Sequence, residues 1–453
     1  MNLTTDSLAR VLGTKAACSS VFQGFSIDSR TAKPQEIFIA LNGKNFFGSK
    51  FIDQAINRGA VAAITDSLDG VKNIDKCLLV ADINSALLKL AGYFRQQFQG
   101  YILSLTGSCG KTTTRHMVSS ILRDSRFEVL ESFKNYNNHF GVPYMLLQLN
   151  QQIEFAVLEC GASAAGEIKP LVEMIQPDVA AVTNVHPVHM SGFGDILSIA
   201  HTKAAIYSHV KDTGLAVLPI NCEYLNLLES YVQTSNKIFV GLGNKADVSA
   251  ENIVYYNDST KFLLHTPNYS CDIVLPLPGK AMLENCLTAV AMLSKLDFDK
   301  DIIQNAIAKF TPFNNRFEFK AGFRAGLTIM ADCYNASPVA LNAAVDVLLM
   351  QEGEKVVVLG DMAELGSDVQ AKDIHEKVGK ELKARGVDSL WAAGDFAAFA
   401  VKEFGISARW FASKDELEKE LVKYLSTGNL VNVLVKASRS MQFEQIISAL
   451  VGR

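Results

Sequence analysis

The fold is decided by the stretch Tyr101-Ile102-Leu103-Ser104-Leu105-Thr106-Gly107-Ser108-Cys109-Gly110-Lys111-Thr112-Thr113. Its apolar first half predicts a strand covered on both faces, and the pattern from Thr112 to Leu122 predicts a helix. The glycines between them let the backbone turn sharply, so that its N–H groups and the positive end of the helix dipole converge on an anion. This order of elements predicts a phosphate-binding loop.

The spacing Gly107-x-x-Gly110-Lys111-Thr112 is shorter than the form G-x-x-x-x-G-K-[ST], and an ordinary glycine turn before a helix is the alternative. A strand and a helix in the right order favour nucleotide binding by residues 107–113. Lys111 can neutralise the charge of a phosphoryl group during transfer, and the Thr112 hydroxyl is placed to ligate Mg²⁺. Cys109 is either a thiol with thiolate character or a small residue that fits the loop.

Polar side chains follow the neighbouring predicted strands. Glu159 ends the strand 155–158, and His189 lies just after the strand 179–182. The carboxyl ends of parallel strands form the ligand-binding edge of such a sheet, so both side chains can reach a metal held by the phosphate loop. A solvated loop acid is the alternative for Glu159. Lys203 falls in the helical pattern 199–210, where a lysine is usually a solvated surface residue.

Length and patterning divide the chain into three predicted α/β domains. The 453 residues, 49% of them hydrophobic, exceed what one core usually supports. We expect a small domain at 1–98, a central doubly wound ATPase domain at 99–312, and a third layered α/β domain at 313–453. The last begins near the polar segment Pro312-Phe313-Asn314-Asn315-Arg316.

Composition excludes several classes of function. The formal net charge of -4 and the pI near 6.1 do not indicate a nucleic-acid partner. The eight cysteines are scattered without a C-x-x-C pair, so neither a disulfide framework nor a structural zinc site is indicated. The first residues lack a signal-peptide pattern and no apolar run could span a bilayer, which predicts a cytoplasmic protein without membrane insertion.

Three later segments are candidate ligand contacts. Asn285 precedes the apolar stretch 286–293, where a helix N-cap is the alternative. Asp332 follows an apolar strand and precedes a helix, a position suited to holding a ribose, with a strand-to-helix turn as the alternative. Lys436-Ala437-Ser438-Arg439 follows the strand 431–435 and offers two cations and a hydroxyl, which suit a substrate carboxylate.

Taken together, these motifs resemble the Mur ligases over almost the whole chain. The resemblance rests on several segments, which are Asp28-Ser29-Arg30, Thr106 to Thr113, Asn135 to Pro143, Gly166-Glu167-Ile168, Asp332 to Pro338, Gly360 to Gly366 and Leu434 to Ser440. It implies a UDP-sugar-binding first domain, a central ATPase and a Rossmann-like last domain that closes over the site. The implied reaction is the ATP-dependent joining of D-alanyl-D-alanine to UDP-N-acetylmuramoyl-tripeptide, by a monomer.

The resemblance also implies roles for individual residues. Lys111, Glu159, His189 and Lys203 are the implied catalytic residues, and Lys203 matches a position that family members carry as a carbamylated lysine. Thr112, Glu159 and His189 are the implied magnesium ligands. Beyond the phosphate loop, the implied ATP contacts are Asn285, Arg316, Asp332, Tyr334 and Asn335. Ser29, Arg30, Asn137 and Asn138 are implied for the UDP-sugar substrate, and Lys436, Ser438 and Arg439 for the dipeptide.

The chain departs from the family pattern at several positions, which are Phe47-Gly48-Ser49, Ser163-Ala164, Ala204-Ala205 and Gly279-Lys280-Ala281-Met282. Three alternatives are weighed against the expected reaction. The sibling ligase that adds the third residue would carry an Asp-Asn-Pro-Arg signature, which is absent. A folate polyglutamate ligase is the second. The third, a regulatory nucleotide switch, would need only the phosphate loop and leaves Asp332 to Pro338 unexplained.

Overall fold

A computed structural model describes residues 4–16, 19–43, 46–243, 245–313 and 315–452. Cys18 and Asn314, both part of the sequence argument, lie outside the described residues. Within these ranges, no helix is at once long and apolar enough to cross a membrane. The chain forms three α/β units in sequence order, as predicted. Each unit is a sheet with its flanking helices, and the units are called the first, the central and the third, or C-terminal, layer.

The first layer is a parallel sheet of short strands, in the order β1-β2-β3-β4, flanked by helices. Its strands are β1 (Gly24–Ser26), β2 (Glu36–Ile39), β3 (Ala62–Thr65) and β4 (Cys77–Leu79), and its helices are α1 (Thr5–Leu12), α2 (Ile52–Asn57) and α3 (Ile83–Gln97). Arg95 docks this layer onto the next, because its guanidinium donates to the carbonyls of Ile175 (2.5 Å) and Gln176 (2.9 Å).

The central layer is a parallel sheet in the order β10-β9-β8-β5-β7-β6, with helices on both faces. Its strands are β5 (Tyr101–Thr106), β6 (Val129–Glu131), β7 (Phe155–Glu159), β8 (Val179–Val182), β9 (Leu215–Pro219) and β10 (Lys237–Val240). Its helices are α4 (Lys111–Asp124), α5 (Gly141–Leu147), α6 (Ile168–Ile175), α7 (Met190–Phe193), α8 (Ile196–Ala204) and α9 (Leu225–Ser230). The strand β5, which is buried from Ile102 onward, places the glycine loop at the carboxyl edge of the sheet, between β7 and β8.

An antiparallel sheet that the sequence analysis did not predict follows the central sheet. It consists of β11 (Ser249–Tyr255), β12 (Thr260–His265) and β13 (Ser270–Leu275), and the helices α10 (Lys280–Met292) and α11 (Lys300–Ala308) come after it. Because α10 begins at Lys280, Asn285 lies inside a helix, and the alternative of an N-cap at Asn285 is wrong. The predicted helix 199–210 is also shorter than expected, since α8 ends at Ala204 and passes into a 3₁₀ turn.

The third layer is a mostly parallel sheet in the order β14-β15-β19-β16-β17-β18, in which β14 is antiparallel. Its strands are β14 (Glu318–Ala321), β15 (Leu327–Ala331), β16 (Glu354–Gly360), β17 (Ser389–Ala393), β18 (Ala408–Phe411) and β19 (Val431–Lys436). Its helices are α12 (Pro338–Leu349), α13 (Asp368–Ala384), α14 (Ala397–Phe404), α15 (Lys414–Leu425) and α16 (Glu444–Val451). One hydrophobic core runs from the central sheet into this layer, so the two share packing.

Candidate active site

The phosphate loop is held by the segment that follows β8. The carbonyl of Cys109 accepts hydrogen bonds from Thr183 Oγ1 (2.6 Å) and Asn184 Nδ2 (3.2 Å), while its N–H donates to Asn184 Oδ1 (2.9 Å). The Ser108 hydroxyl donates to the carbonyl of His186 and accepts from the N–H of His186, each at 2.8 Å. The loop is therefore preorganised by the neighbouring strand end, as expected for an anion-binding turn.

The two loop glycines are required by close approach as well as by backbone angle. Gly107 has φ 154° and Gly110 has φ 83°, and a Cβ on either would collide with a neighbouring side chain. A Cβ added at Gly110 would lie only 2.1 Å from Asn285 Oδ1. Asn285 thus lies directly against the loop, and its role as a nucleotide contact stays a prediction.

Two lysines lie at the loop. Lys111 folds back and donates from Nζ to the carbonyl of Gly107 (2.5 Å), and burial lowers the pKa of its ammonium group. Lys203 is only 2% exposed, so the expectation of a solvated surface lysine is wrong. Burial, together with the charge of Lys111, holds the pKa of Lys203 well below its usual value.

Glu159 is buried, which rules out the alternative of a solvated loop acid. Its Oε1 accepts from Arg115 Nε at 2.8 Å, and its Oε2 has a long contact of 3.5 Å with Asn137 Nδ2. Arg115 was not singled out in the sequence, although its position one helical turn after Lys111 on α4 places both side chains on one face. The same arginine also reaches Glu131 Oε2 at 2.6 Å.

His189 bridges the central and C-terminal layers. Its Nδ1 pairs with the carboxylate of Glu364, which belongs to the Gly360–Gly366 segment after β16. Nδ1 is engaged in this pair, so Nε2 is the ring nitrogen left for a ligand. A second contact between the layers joins the Cys109 thiol to the Ser337 hydroxyl at 3.9 Å.

The C-terminal layer contributes a group of charges around Tyr334. The guanidinium of Arg316 lies 4.0 Å from the Tyr334 ring centre and that of Arg439 lies 5.5 Å from it, so two cations contact one ring. The Nε of Arg316 is buried without a hydrogen-bond partner among the described residues. Burial lowers the pKa of Arg316, partly offset by the charge of Glu159, which indicates that this arginine lies near the phosphate loop.

Lys436 and Asp332, predicted to contact different substrates, contact each other. Lys436 Nζ lies 2.8 Å from Asp332 Oδ2 and donates to the carbonyl of Asn335 at 2.7 Å. Lys436 is 1% exposed. The buried Ser438 hydroxyl accepts from the N–H of Ala363 (2.7 Å), which ties the end of β19 to the Gly360–Gly366 segment.

The first-layer candidates form a separate group. Ser29 is buried and donates to Gln54 Oε1 at 2.7 Å, and the exposed Arg30 pairs with Asp28 at 2.8 Å. Asn138 Oδ1 accepts from the N–H of Gly141 at 2.9 Å and so helps to start α5, whereas Asn137 belongs to the Glu159 group. Of these four candidates, only Asn137 has a described side-chain contact with a candidate of the phosphate site, which is Glu159.

The phosphate loop is surrounded by cations and lies on the central α/β layer, and the C-terminal layer packs against the open edge of that layer. This arrangement defines a nucleotide-dependent enzyme whose site lies between two domains. Three family sequence models match the chain. The model "Mur ligase family, catalytic domain" matches residues 21–89, and the model "Mur ligase middle domain" matches residues 105–293. The model "Mur ligase, glutamate ligase domain" matches residues 315–439. The chain belongs to the Mur ligase family and is an ATP-dependent ligase.

Known relatives match over nearly the full length. The UDP-N-acetylmuramoyl-tripeptide–D-alanyl-D-alanine ligase of Escherichia coli is 33% identical, with 99% of this chain and 98% of that protein covered. The crystal structure I of MurF from Acinetobacter baumannii has a TM-score of 0.88 at 31% identity, covering 99% of each chain. MurF from Thermotoga maritima in complex with ADP has a TM-score of 0.80 at 28% identity, covering 94% of this chain and 96% of that one. The three-domain fold is confirmed, while the boundaries at 98 and 312 stay predictions.

Proposed function

We propose that this ligase joins D-alanyl-D-alanine to UDP-N-acetylmuramoyl-tripeptide through an acyl phosphate, in the synthesis of the peptidoglycan precursor. The observation that carries the proposal is the group of cationic side chains at the phosphate loop. Lys111, Lys203, Arg115 and Arg316 influence one another or Glu159 electrostatically. Arg115 is already paired with Glu159 and Glu131, whereas Lys111 and Arg316 have no ion-pair partner among the described residues, so a polyphosphate would complete the balance.

The chemistry follows from the weakness of a carboxylate as an electrophile. An oxygen of the tripeptide carboxylate attacks the γ-phosphorus of ATP, the bond to the β,γ-bridging oxygen breaks, and ADP leaves. Lys111 is placed to stabilise the charge in transit. The amine of D-alanyl-D-alanine then attacks the acyl carbon, loses a proton and expels phosphate, which leaves an amide. The C-terminal layer packs against the site, and closure of the two domains on the substrates would exclude the water that hydrolyses an acyl phosphate.

The residues present fit a magnesium ion. The Thr112 hydroxyl and the Glu159 carboxylate are hard oxygen donors at the loop and at the adjacent strand end, and His189 has one ring nitrogen left. Mg²⁺ takes one or two protein ligands and completes its shell with water and phosphate. The ion would neutralise phosphate charge during transfer.

The remaining contacts are assigned by position. Asn285 and the pair of Arg316 and Tyr334 are proposed to surround the nucleotide, together with Asp332 and Asn335. The first layer, through Ser29 and Arg30, is proposed to hold the UDP-sugar end of the substrate, with Asn137 and Asn138 beside it. Arg439 is largely exposed and is proposed to receive the dipeptide carboxylate, with Lys436 and Ser438 behind it.

Phosphate release tests the proposal. The ligase should release phosphate from ATP only when UDP-N-acetylmuramoyl-tripeptide and D-alanyl-D-alanine are both present, and the amide product should appear in equal amount by mass spectrometry. Supplying tripeptides that end in lysine or in diaminopimelate defines the preferred acceptor. Steady hydrolysis of ATP without either substrate would instead identify a nucleotide switch, and activity with a free amino acid in place of the dipeptide would identify a sibling ligase.

A further inference from the structure

Arg115 occupies the centre of a buried network that the predicted roles do not use. Its Nε donates to Glu159 Oε1 (2.8 Å), and its Nη1 lies 2.6 Å from Glu131 Oε2 and 2.5 Å from the carbonyl of Ser132. Both Arg115 and Glu159 are 2% exposed. One side chain of the phosphate-loop helix thus reaches the ends of two adjacent strands, β6 and β7.

The same network fixes the backbone of Glu159. The Ser132 hydroxyl accepts from the N–H of Glu159 at 2.9 Å, while the Ser132 carbonyl accepts from Arg115. Glu159 is therefore held at its main chain by Ser132 and at one carboxylate oxygen by Arg115. A side chain held at both ends loses the rotamers that would turn its carboxylate away from the loop.

The two oxygens of Glu159 are not equivalent. Oε1 receives the short, charge-assisted bond from Arg115, whereas Oε2 has only the 3.5 Å contact with Asn137. We propose that Arg115 is a positioning residue, which engages one oxygen of Glu159 and thereby presents the other to the metal–nucleotide complex at the phosphate loop. This inference rests on the magnesium role of Glu159 in the proposed function.

Arg123 supplies a matched control. It pairs with the other oxygen of Glu131 at 2.7 Å, from the exposed side of the network, and does not contact Glu159. Arg123→Met therefore removes a cation that contacts Glu131, in the same network, while leaving the pair of Arg115 and Glu159 in place. Arg115→Met removes the cation that touches Glu159, and Arg115→Lys keeps the charge.

The primary measurement is the binding of Mn²⁺ to the full-length enzyme with ADP, by electron paramagnetic resonance, without turnover. Removal of groups that orient metal ligands typically weakens metal binding about 10–100-fold, so Arg115→Met should raise the Kd for Mn²⁺ at least about tenfold. Arg115→Lys should recover most of that loss, and Arg123→Met should stay within about twofold, the size expected of an exposed pair. In the assay of phosphate release, the Mg²⁺ concentration needed for half-activation should follow the same order.

A double-mutant cycle separates positioning from folding. Breaking a buried ion pair by removing one partner costs about 3–5 kcal/mol, whereas removing both partners avoids an unpaired buried charge. Arg115→Met added to Glu159→Gln should therefore cause no further loss of Mn²⁺ affinity, even where Arg115→Met alone is too unstable to study. A further tenfold loss in the double variant, or equal losses in Arg115→Met and Arg123→Met, would overturn the inference.

The failures of the two proposals are distinguishable. If Glu159→Gln binds Mn²⁺ and ADP as the wild type does, then the metal role of Glu159 in the proposed function is wrong. If Glu159→Gln loses Mn²⁺ affinity while a folded Arg115→Met keeps it, only the positioning role of Arg115 is wrong.

Discussion

His189 in the central domain pairs through Nδ1 with the carboxylate of Glu364 in the C-terminal domain. Both residues have left-handed backbone angles, with φ 52° at His189 and φ 61° at Glu364. Such angles are uncommon outside glycine and are kept where the surrounding structure requires them. The imidazole is therefore oriented by a residue that reaches it only when the two domains are packed together.

Glu364→Ala should slow the reaction without preventing nucleotide binding. The carboxylate fixes the orientation of a histidine that we place at the metal site, and loss of such a partner typically costs about 10–100-fold. We expect kcat to fall at least about tenfold, with a smaller change in the KM for ATP. Steady-state assays of phosphate release measure this, with Glu352→Ala, an exposed acid on the same domain, as the control. Equal kinetics in the two variants would show that the pair has no part in the reaction.

Nucleotide binding should protect Cys109 from alkylation. Its thiol is half-buried in the phosphate loop, beside Ser337 of the C-terminal domain. With ATP at about 100 times its Kd, the free enzyme falls to roughly one part in a hundred, so labelling should slow at least tenfold. Mass spectrometry after timed labelling measures the rate, and the half-buried Cys222, outside the loop, is the internal control. Unchanged labelling of Cys109 with ATP would place the nucleotide elsewhere.

Lys203→Met should raise stability and abolish activity. Burial, reinforced by Lys111, lowers the pKa of Lys203, so at neutral pH the unfolded chain binds this proton more readily than the folded one. The lysine therefore destabilises the protein at pH 7, and this penalty shrinks as the pH rises towards 10.5. A higher Tm than that of the wild type is therefore expected for Lys203→Met at pH 7.

Calorimetry at pH 7 and pH 9.5 tests the sign of this effect on stability. The difference in Tm between Lys203→Met and the wild type should be smaller at the higher pH. The lysine that the resemblance matches is carbamylated in family members, and mass spectrometry of the native enzyme in bicarbonate would detect that modification. Full activity in Lys203→Ala would show that Lys203 has no catalytic role.

Glu131→Gln should cost stability at neutral pH but little in acid. Burial alone would raise the pKa of Glu131, but the neighbouring His116, 3.7 Å away, and the charges of Arg115 and Arg123 outweigh it and lower this pKa to about 2. A depressed carboxyl pKa stabilises the fold above the unfolded value of about 4.5, and this contribution is lost as the pH falls towards 2. Urea unfolding at pH 6 and at pH 3.5 measures this. The free energy of unfolding should differ more between the variant and the wild type at pH 6 than at pH 3.5. A constant difference would rule out this electrostatic origin.

The parallel sheets and the phosphate loop could be predicted because apolar strands and glycine spacing are local signals. The strand 179–182 coincides with β8, and the loop lies where the strand and helix patterns placed it. The sheet β11–β13 was missed although β13 alternates between exposed and buried residues, a period-two pattern that can identify such strands.

The burial of Lys203 and the pair of Arg115 and Glu159 could not be predicted in the same way. Both depend on which helix face meets the sheet edge, and a short helical pattern does not determine that contact. Lys436 shows the same limit. Its place after β19 was predictable, but its partner, Asp332, lies 104 residues away in the sequence.

Lys436→Met should destabilise the C-terminal domain, because it leaves Asp332 without its cation. The pair is buried at 2.8 Å, and loss of one partner of a buried pair costs about 3–5 kcal/mol. Adding Asp332→Asn should restore much of that loss, since no unpaired charge then remains. Calorimetric unfolding compares the two variants, and Lys320→Met, which removes a more exposed pair with Glu318, should change stability by less than about 1 kcal/mol. If the double variant is no more stable than Lys436→Met, the stability of this domain does not depend on the charge of Asp332 being balanced.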